Sequence, residues 1–86
     1  MPTISTFYGI AIRMFFEDHP PPHLHAVYSE HKAQFDIRTG EVIEGRLPKT
    51  ATHLVKEWIA LNREALMANW ERAEQGQPLD HIEGLK

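Results

Sequence analysis

The 86-residue chain is long enough for one small domain, residues 1–86, with a single modest core. Nine Lys and Arg against twelve Asp and Glu give a net charge of -3 without charged blocks, so direct DNA binding is not expected. The absence of cysteine excludes disulfides and thiolate metal ligands. The sequence also lacks a signal-peptide pattern and any run of roughly 20 apolar residues, so we expect a cytoplasmic protein that makes no membrane contact.

The N-terminal segment alternates apolar side chains over residues 4–16, and a period of two is typical of a β-strand. Gly9 interrupts this strand, either as a bulge or as the boundary between an N-terminal arm and the strand proper. Three prolines at residues 20–22 end it, because each proline fixes φ and removes a backbone donor. They predict a stiff, extended connector.

Three further strands are predicted after the connector, with polar turns between them. They cover residues 23–29, residues 32–37 and a segment that begins at Val42 and is ended by Gly45 and Pro48. The residues predicted to face inward are Leu24, Ala26, Tyr28, Ala33, Phe35 and Ile37.

From about Lys49 the apolar spacing changes to three and four residues, which predicts a long amphipathic helix ended by Gly76 and Pro78. The predicted apolar stripe consists of Ala51, Leu54, Val55, Trp58, Leu61, Ala65, Leu66 and Trp70. The tail, residues 79–86, is expected either to add a short strand or to pack. The pattern as a whole indicates an α+β fold, with a small antiparallel sheet of about four strands packed against this helix.

The length of the predicted helix raises the question of what covers its end. About 26 residues make a helix of about 40 Å, whereas a compact domain of this size has a radius of gyration of about 12 Å. Unless the helix kinks, Leu66, Met67 and Trp70 would overhang the sheet and contact a second subunit, as in a homodimer, or another protein. The alternative is that the tail folds back over them.

Three of the six histidines, His19, His23 and His25, lie within seven residues. His23 and His25 share one face of the predicted strand, an arrangement that metal sites on sheets use. Three interpretations stay open. The imidazoles pack without chemistry, they bind a divalent metal ion with a third ligand from His19, Asp18 or a neighbouring strand, or they catalyse proton transfer on RNA or another phosphodiester.

The catalytic interpretation is that of a metal-independent nuclease that needs no cofactor, in which Arg13 or Lys32 offsets the phosphate charge. Its candidate catalytic residues are Arg13, Asp18, His19, His23 and His25. In the metal interpretation the ion would be held by His19, His23 and His25. An extended connector puts the Cα atoms of His19 and His23 roughly 12 Å apart, so the two could share an ion only if the connector bends.

Short motifs are distributed over nearly the whole chain. They are Phe-Tyr-Gly-Ile at residues 7–10, Met-Phe-Phe at 14–16, Asp-His at 18–19, Pro-Pro-His-Leu-His-Ala at 21–26, Gly-Glu at 40–41, Leu-Pro at 47–48, Glu-Trp at 57–58 and Asn-Trp at 69–70. Together they resemble the small bacterial proteins grouped as domain of unknown function 4160 (DUF4160). The chain differs from the common pattern at Leu24 and His53, and neither difference touches the histidine cluster.

The resemblance implies a bacterial protein that works with a small cognate partner protein, in the manner of toxin–antitoxin pairs. The leading hypothesis is therefore a toxin-like component, held inactive by its partner and acting on RNA or translation through His19, His23 and His25. The alternative hypothesis is a non-catalytic binding or regulatory module with a structural metal ion on the same histidines.

Overall fold

The backbone forms an antiparallel meander of five strands followed by one long helix. The structure, a computed structural model, describes residues 2–86, so Met1 lies outside it. The elements are β1 (Thr3–Phe7), β2 (Ile10–Arg13), β3 (His23–Tyr28), β4 (His31–Asp36), β5 (Val42–Arg46) and α1 (Lys49–Glu74). The strands pair in chain order, β1-β2-β3-β4-β5, and every pairing is antiparallel. The predicted α+β fold is confirmed, with five strands instead of about four.

The additional strand arises because the predicted first strand is two strands joined by a tight turn. Tyr8 and Gly9 both have positive φ, 50° and 79°, and Phe7 pairs with Ile10 across them. This is the two-residue turn whose twist matches that of the flanking strands. Gly9 adopts it at little cost because it has no Cβ atom, whereas Tyr8 is an unusual residue there. The apolar alternation continues through the turn, so the two-residue period by itself predicted one strand where there are two.

One face of the sheet packs against α1 and forms the core. The inward-facing positions predicted from the alternation are buried, apart from Tyr28, which is half-buried. The most deeply buried residues on this face are Ile10, Ile12, Leu24, Ala26 and Phe35 in the strands, with Met14 and Ile37 directly after β2 and β4. The opposite face therefore stays open to solvent, and it carries the polar side chains at alternate positions.

The helix bends at Asn62, whose φ and ψ of -123° and 20° are not helical. The Asn62 side-chain amide donates to the Trp58 carbonyl at 2.9 Å, the acceptor that a backbone N–H normally takes, and such competition bends helices. The longest extent of the molecule is 33 Å, less than the length of a straight helix of 26 residues. The predicted overhang is therefore removed in part by a kink.

The buried stripe of α1 follows the kink and departs from the predicted one at two positions. Leu61 is 70 % exposed and Ala65 is exposed, so both were wrongly assigned to the core. The stripe passes through Ile59 and the half-buried Asn62 instead, which lie four residues after Val55 and Trp58 respectively. Among residues 2–86, α1 included, no helix combines the length and apolar character that a membrane span requires.

The tail folds back over the C-terminal half of the helix. The buried Asn69 side chain makes a reciprocal pair of hydrogen bonds with the backbone of Asp80, donating to its carbonyl and accepting from its N–H, both at 2.9 Å. Further along the tail, the Trp58 indole donates to the Glu83 carbonyl at 2.9 Å. Residues 77–86 are all described and form no strand, so the tail packs.

The packing of the tail shows what covers the C-terminal half of α1. Leu66 is fully buried, Trp70 is only 4 % exposed, and the half-buried Met67 packs against the core. Ile82 of the tail is buried in the same core, and its N–H donates to the Ile4 carbonyl at 2.8 Å. The alternative, a folded-back tail, is therefore observed, so Leu66 and Trp70 do not overhang the sheet. Contact with a second subunit or another protein stays a prediction.

Asn69→Ala should lower the free energy of unfolding by about 3 kcal/mol, because it leaves the N–H and carbonyl of Asp80 without the partners they have in the folded state. Urea unfolding followed by tryptophan fluorescence would measure the loss. Glu71→Ala, a change at an exposed position of the same helix, should shift stability by less than about 0.5 kcal/mol. Equal stabilities of the two variants would show that the tail does not depend on Asn69.

Candidate metal centre

Strand β3 projects His23 and His25 to the same side of the sheet, as its alternation predicts. Their ring centroids lie 5.1 Å apart. The side chain of His23 is 6 % exposed and that of His25 is 19 % exposed, so the pair lies at the boundary between the interior and solvent. Two imidazoles are thus available to the same ligand, with access from the His25 side.

The connector between β2 and β3 brings a carboxylate to this pair. It bends at Pro20 and Pro21, so the predicted extended conformation is wrong. Before the bend, the Glu17 N–H donates to the Ala73 carbonyl near the end of α1 at 3.1 Å. This hydrogen bond ties the connector to the helix immediately before Asp18.

The Asp18 carboxylate lies between the two imidazoles. Its Oδ2 atom is 3.0 Å from His23 Nε2 and 3.2 Å from His25 Nε2. The three possible ligand atoms all lie within 4.8 Å of one another. In a tetrahedral zinc site with bonds of about 2.0–2.1 Å, ligand atoms are about 3.3 Å apart. The two distances to the carboxylate are therefore close to those that a common metal ion would set.

The orientation of His23 is fixed by its second ring nitrogen. Nδ1 lies 2.7 Å from the Pro21 carbonyl oxygen, which can only accept, so Nδ1 carries a proton and donates it. The Nε2 atom then faces Asp18 Oδ2, and this contact is attractive when either a proton or a metal ion lies between the two atoms. Histidines that bind metals usually donate their other N–H to a carbonyl or carboxylate in this way.

Aromatic rings flank the imidazoles on both sides. The Phe15 ring centroid is 4.2 Å from that of His25, and the Trp70 centroid is 5.3 Å from that of His23. Because Trp70 is almost fully buried in the core, His23 has little freedom to rotate. The two ligand nitrogens are thus held in place by packing as well as by hydrogen bonds.

Opposing influences act on the Asp18 carboxyl. Its partial burial raises the pKa, whereas the hydrogen bond from the His19 N–H, the contact with His25 and the charges on His23 and His25 lower it. The net effect holds the pKa of Asp18 below its ordinary value, so the carboxylate is ionised. That is the form that binds a cation.

The structure separates the predicted site residues into two groups. Asp18, His23 and His25 are together, whereas the side chain of His19 is exposed and lies outside this group among the described residues. His19 contributes only its backbone N–H, which donates to Asp18 Oδ1 at 2.8 Å. Arg13 pairs with His25 across β2 and β3, so it lies beside the group on the open face.

An open groove extends from His25 across this face of the sheet, with a volume of about 380 Å³. It is lined by Arg13, Phe15, His25, Ala26, Val27, Lys32, Ala33, Gln34, Glu44 and Gly45. Phe15, Gln34 and Glu44 were not predicted from the sequence as site residues. Strand alternation together with antiparallel register would have found them, because Arg13, His25, Gln34 and Glu44 are successive cross-strand partners.

A family model described as "Domain of unknown function (DUF4160)" matches residues 9–71. The chain belongs to the DUF4160 family. The matched span runs from the first hairpin turn through most of α1, and it includes all three residues of the candidate metal centre. No curated protein and no solved structure matches this DUF4160 chain.

Asp18→Asn should change how the stability of the metal-free protein depends on pH. Because the folded-state pKa of Asp18 is lowered, the carboxylate stabilises the fold above the unfolded-state pKa of about 4, and this contribution is lost as the pH falls through the folded-state pKa. The stability difference between wild type and D18N should therefore shrink below about pH 4.

Urea unfolding in EDTA, from neutral pH down to about pH 2.5, would measure this difference. Glu30→Gln, a change at an exposed turn residue, serves as the matched control and should show no such loss. A difference between wild type and D18N that is the same at every pH would contradict the lowered pKa.

Proposed function

We propose that this DUF4160 protein binds a divalent transition metal ion, with zinc as the first candidate, through Asp18, His23 and His25. The observation that carries the proposal is the approach of one carboxylate oxygen to two imidazole Nε2 atoms, at 3.0 and 3.2 Å. Two histidines and one carboxylate are a ligand set used by catalytic zinc sites and by non-haem iron sites.

The ligand count favours a working site over a purely structural one. Structural zinc sites usually close the coordination shell with four protein ligands, whereas catalytic sites use three and leave a position for water or substrate. Here three ligand atoms converge, and His25 also lines the open groove. The free coordination position would therefore face the groove, where a bound ion would polarise a substrate oxygen or activate a water molecule.

The geometry favours this metal centre over a metal-independent nuclease. Acid–base catalysis by His23 and His25 needs ring nitrogens free to meet a substrate, yet both Nε2 atoms contact Asp18, and His23 Nδ1 is committed to Pro21. The side chain of His19, the third predicted catalytic histidine, is exposed and lies outside this group in the part of the chain that the structure describes. A metal ion uses the same atoms without requiring any of them to be released.

The toxin-like role that the family resemblance implies stays a prediction, as do the small partner protein and the cytoplasmic location. The proposed metal centre supplies a definite site for such an activity, since it lies next to a groove of substrate size. In the alternative regulatory role, the same centre would bind its ion without turnover. Both roles thus depend on the same three ligands.

Protein purified without a histidine tag should bind about one zinc ion per chain, measured by elemental analysis after dialysis and by calorimetric titration. Asp18→Ala and His23→Ala should each weaken zinc binding by at least about tenfold, because each removes a ligand atom. His53→Ala, at an exposed position outside the centre, is the matched control and should bind zinc as wild type does. Equal binding by His23→Ala and wild type would reject the site.

The toxin prediction has its own test in cells. Induced expression of the wild-type chain without its partner should slow bacterial growth, and the double change of His23→Ala and His25→Ala should abolish the effect while the fold is retained. A control that replaces two exposed histidines, His53→Ala and His81→Ala, should still inhibit growth. If the variant with both His23→Ala and His25→Ala still inhibits growth as wild type does, the toxicity does not depend on the proposed centre.

A further inference from the structure

The groove beside the proposed metal centre contains an arginine that forms no ion pair within residues 2–86. Arg13 is the direct cross-strand partner of His25, so its side chain emerges next to the centre. It is half-buried, and its Nε atom is shielded from solvent without a hydrogen-bond partner in the described chain. Buried donors without partners are rare in folded proteins, and a catalytic role or a bound water molecule or ion is among their explanations.

A second cation lines the same groove. Lys32 is exposed on β4, where it is paired with Val27 on one side and with Arg46 on the other. Within residues 2–86, the ion pairs closer than 4.0 Å involve other cations and leave Arg13 and Lys32 without a carboxylate. Glu44, an acid in the groove, accepts a hydrogen bond from Gln34 at 3.0 Å instead.

The groove also offers apolar contact to an organic ligand. Phe15 and Val27 line it together with the two cations. Its volume of about 380 Å³ lies within the range of roughly 300–1,000 Å³ that small-molecule sites occupy. The groove therefore combines two positive groups, an aromatic ring and space for a small molecule.

We infer that this groove binds a small phosphate ester, with its phosphate between Arg13 and Lys32 and its organic part against Phe15 and Val27. A single arginine can satisfy a carboxylate with two parallel hydrogen bonds. A phosphate ester carries more charge and more acceptor oxygens, and so can use two cations on different strands as well as a metal ion. The inference rests on the proposed function in one respect, because it names the substrate class of that centre.

Phenyl phosphate is a suitable probe, with inorganic phosphate and benzoate for comparison. Calorimetric titration of the EDTA-treated protein at low ionic strength should show the tightest binding for phenyl phosphate, since inorganic phosphate lacks the ring and benzoate lacks the phosphate. Arg13→Gln should weaken phenyl phosphate binding by at least about tenfold, because it removes a charge-assisted contact. Lys32→Gln, at an exposed position, should weaken it in the same direction without endangering the fold.

Matched controls remove the same charges elsewhere on the surface. Arg38→Gln and Lys49→Gln, both at exposed positions outside the groove, should leave the affinity for phenyl phosphate unchanged. Thermal unfolding of every variant would confirm that each is folded at the titration temperature.

The outcomes separate this inference from the metal proposal, because the phosphate titration is performed without metal and zinc binding is measured on the same preparations. Benzoate binding as tight as phenyl phosphate, or binding unaffected by both Arg13→Gln and Lys32→Gln, would overturn the phosphate site. If the protein binds phenyl phosphate in a manner that depends on Arg13 but does not bind zinc, the phosphate site is supported and only the metal centre is rejected.

Discussion

The contact between the C-terminal half of α1 and the start of β3 is the constraint on which the candidate site depends. Trp70 places its ring 5.3 Å from that of His23, and the Ala73 carbonyl accepts the Glu17 N–H. The first contact limits the rotation of an imidazole, and the second ties down the connector that carries Asp18. The tail holds this half of the helix through Asn69, so residues distant in sequence jointly position one carboxylate.

The two faces of the sheet have different roles. One face is apolar and buries its side chains against α1, which provides most of the hydrophobic stabilisation. The other face is left free to carry charged and polar groups at the same alternating spacing, and these line the groove. A small domain has a small core, so placing the functional groups on the open face of the sheet leaves the apolar face free for packing.

The spacing of apolar residues predicted a strand or helix correctly wherever a single spacing was confined to a single element. The helix bounds and the facing of Leu24 and Phe35 follow from local spacing, and they are confirmed. The prediction failed where geometry changed without a change of period: the turn at Tyr8 continues the apolar alternation, and the kink at Asn62 moves Leu61 to the surface. A mid-helix asparagine signals such a bend, because its side chain competes for the backbone acceptor.

The sequence by itself determined the α+β fold, the family and the shared face of His23 and His25, because all three depend on local pattern. Only the tertiary structure decided that Asp18, and not its neighbour His19, joins the two histidines. Adjacent residues in a connector point in different directions, and which one meets the sheet depends on the bend at the prolines and on the hydrogen bond from Glu17 to the end of α1. Those interactions join segments far apart in the chain, so no local spacing contains them.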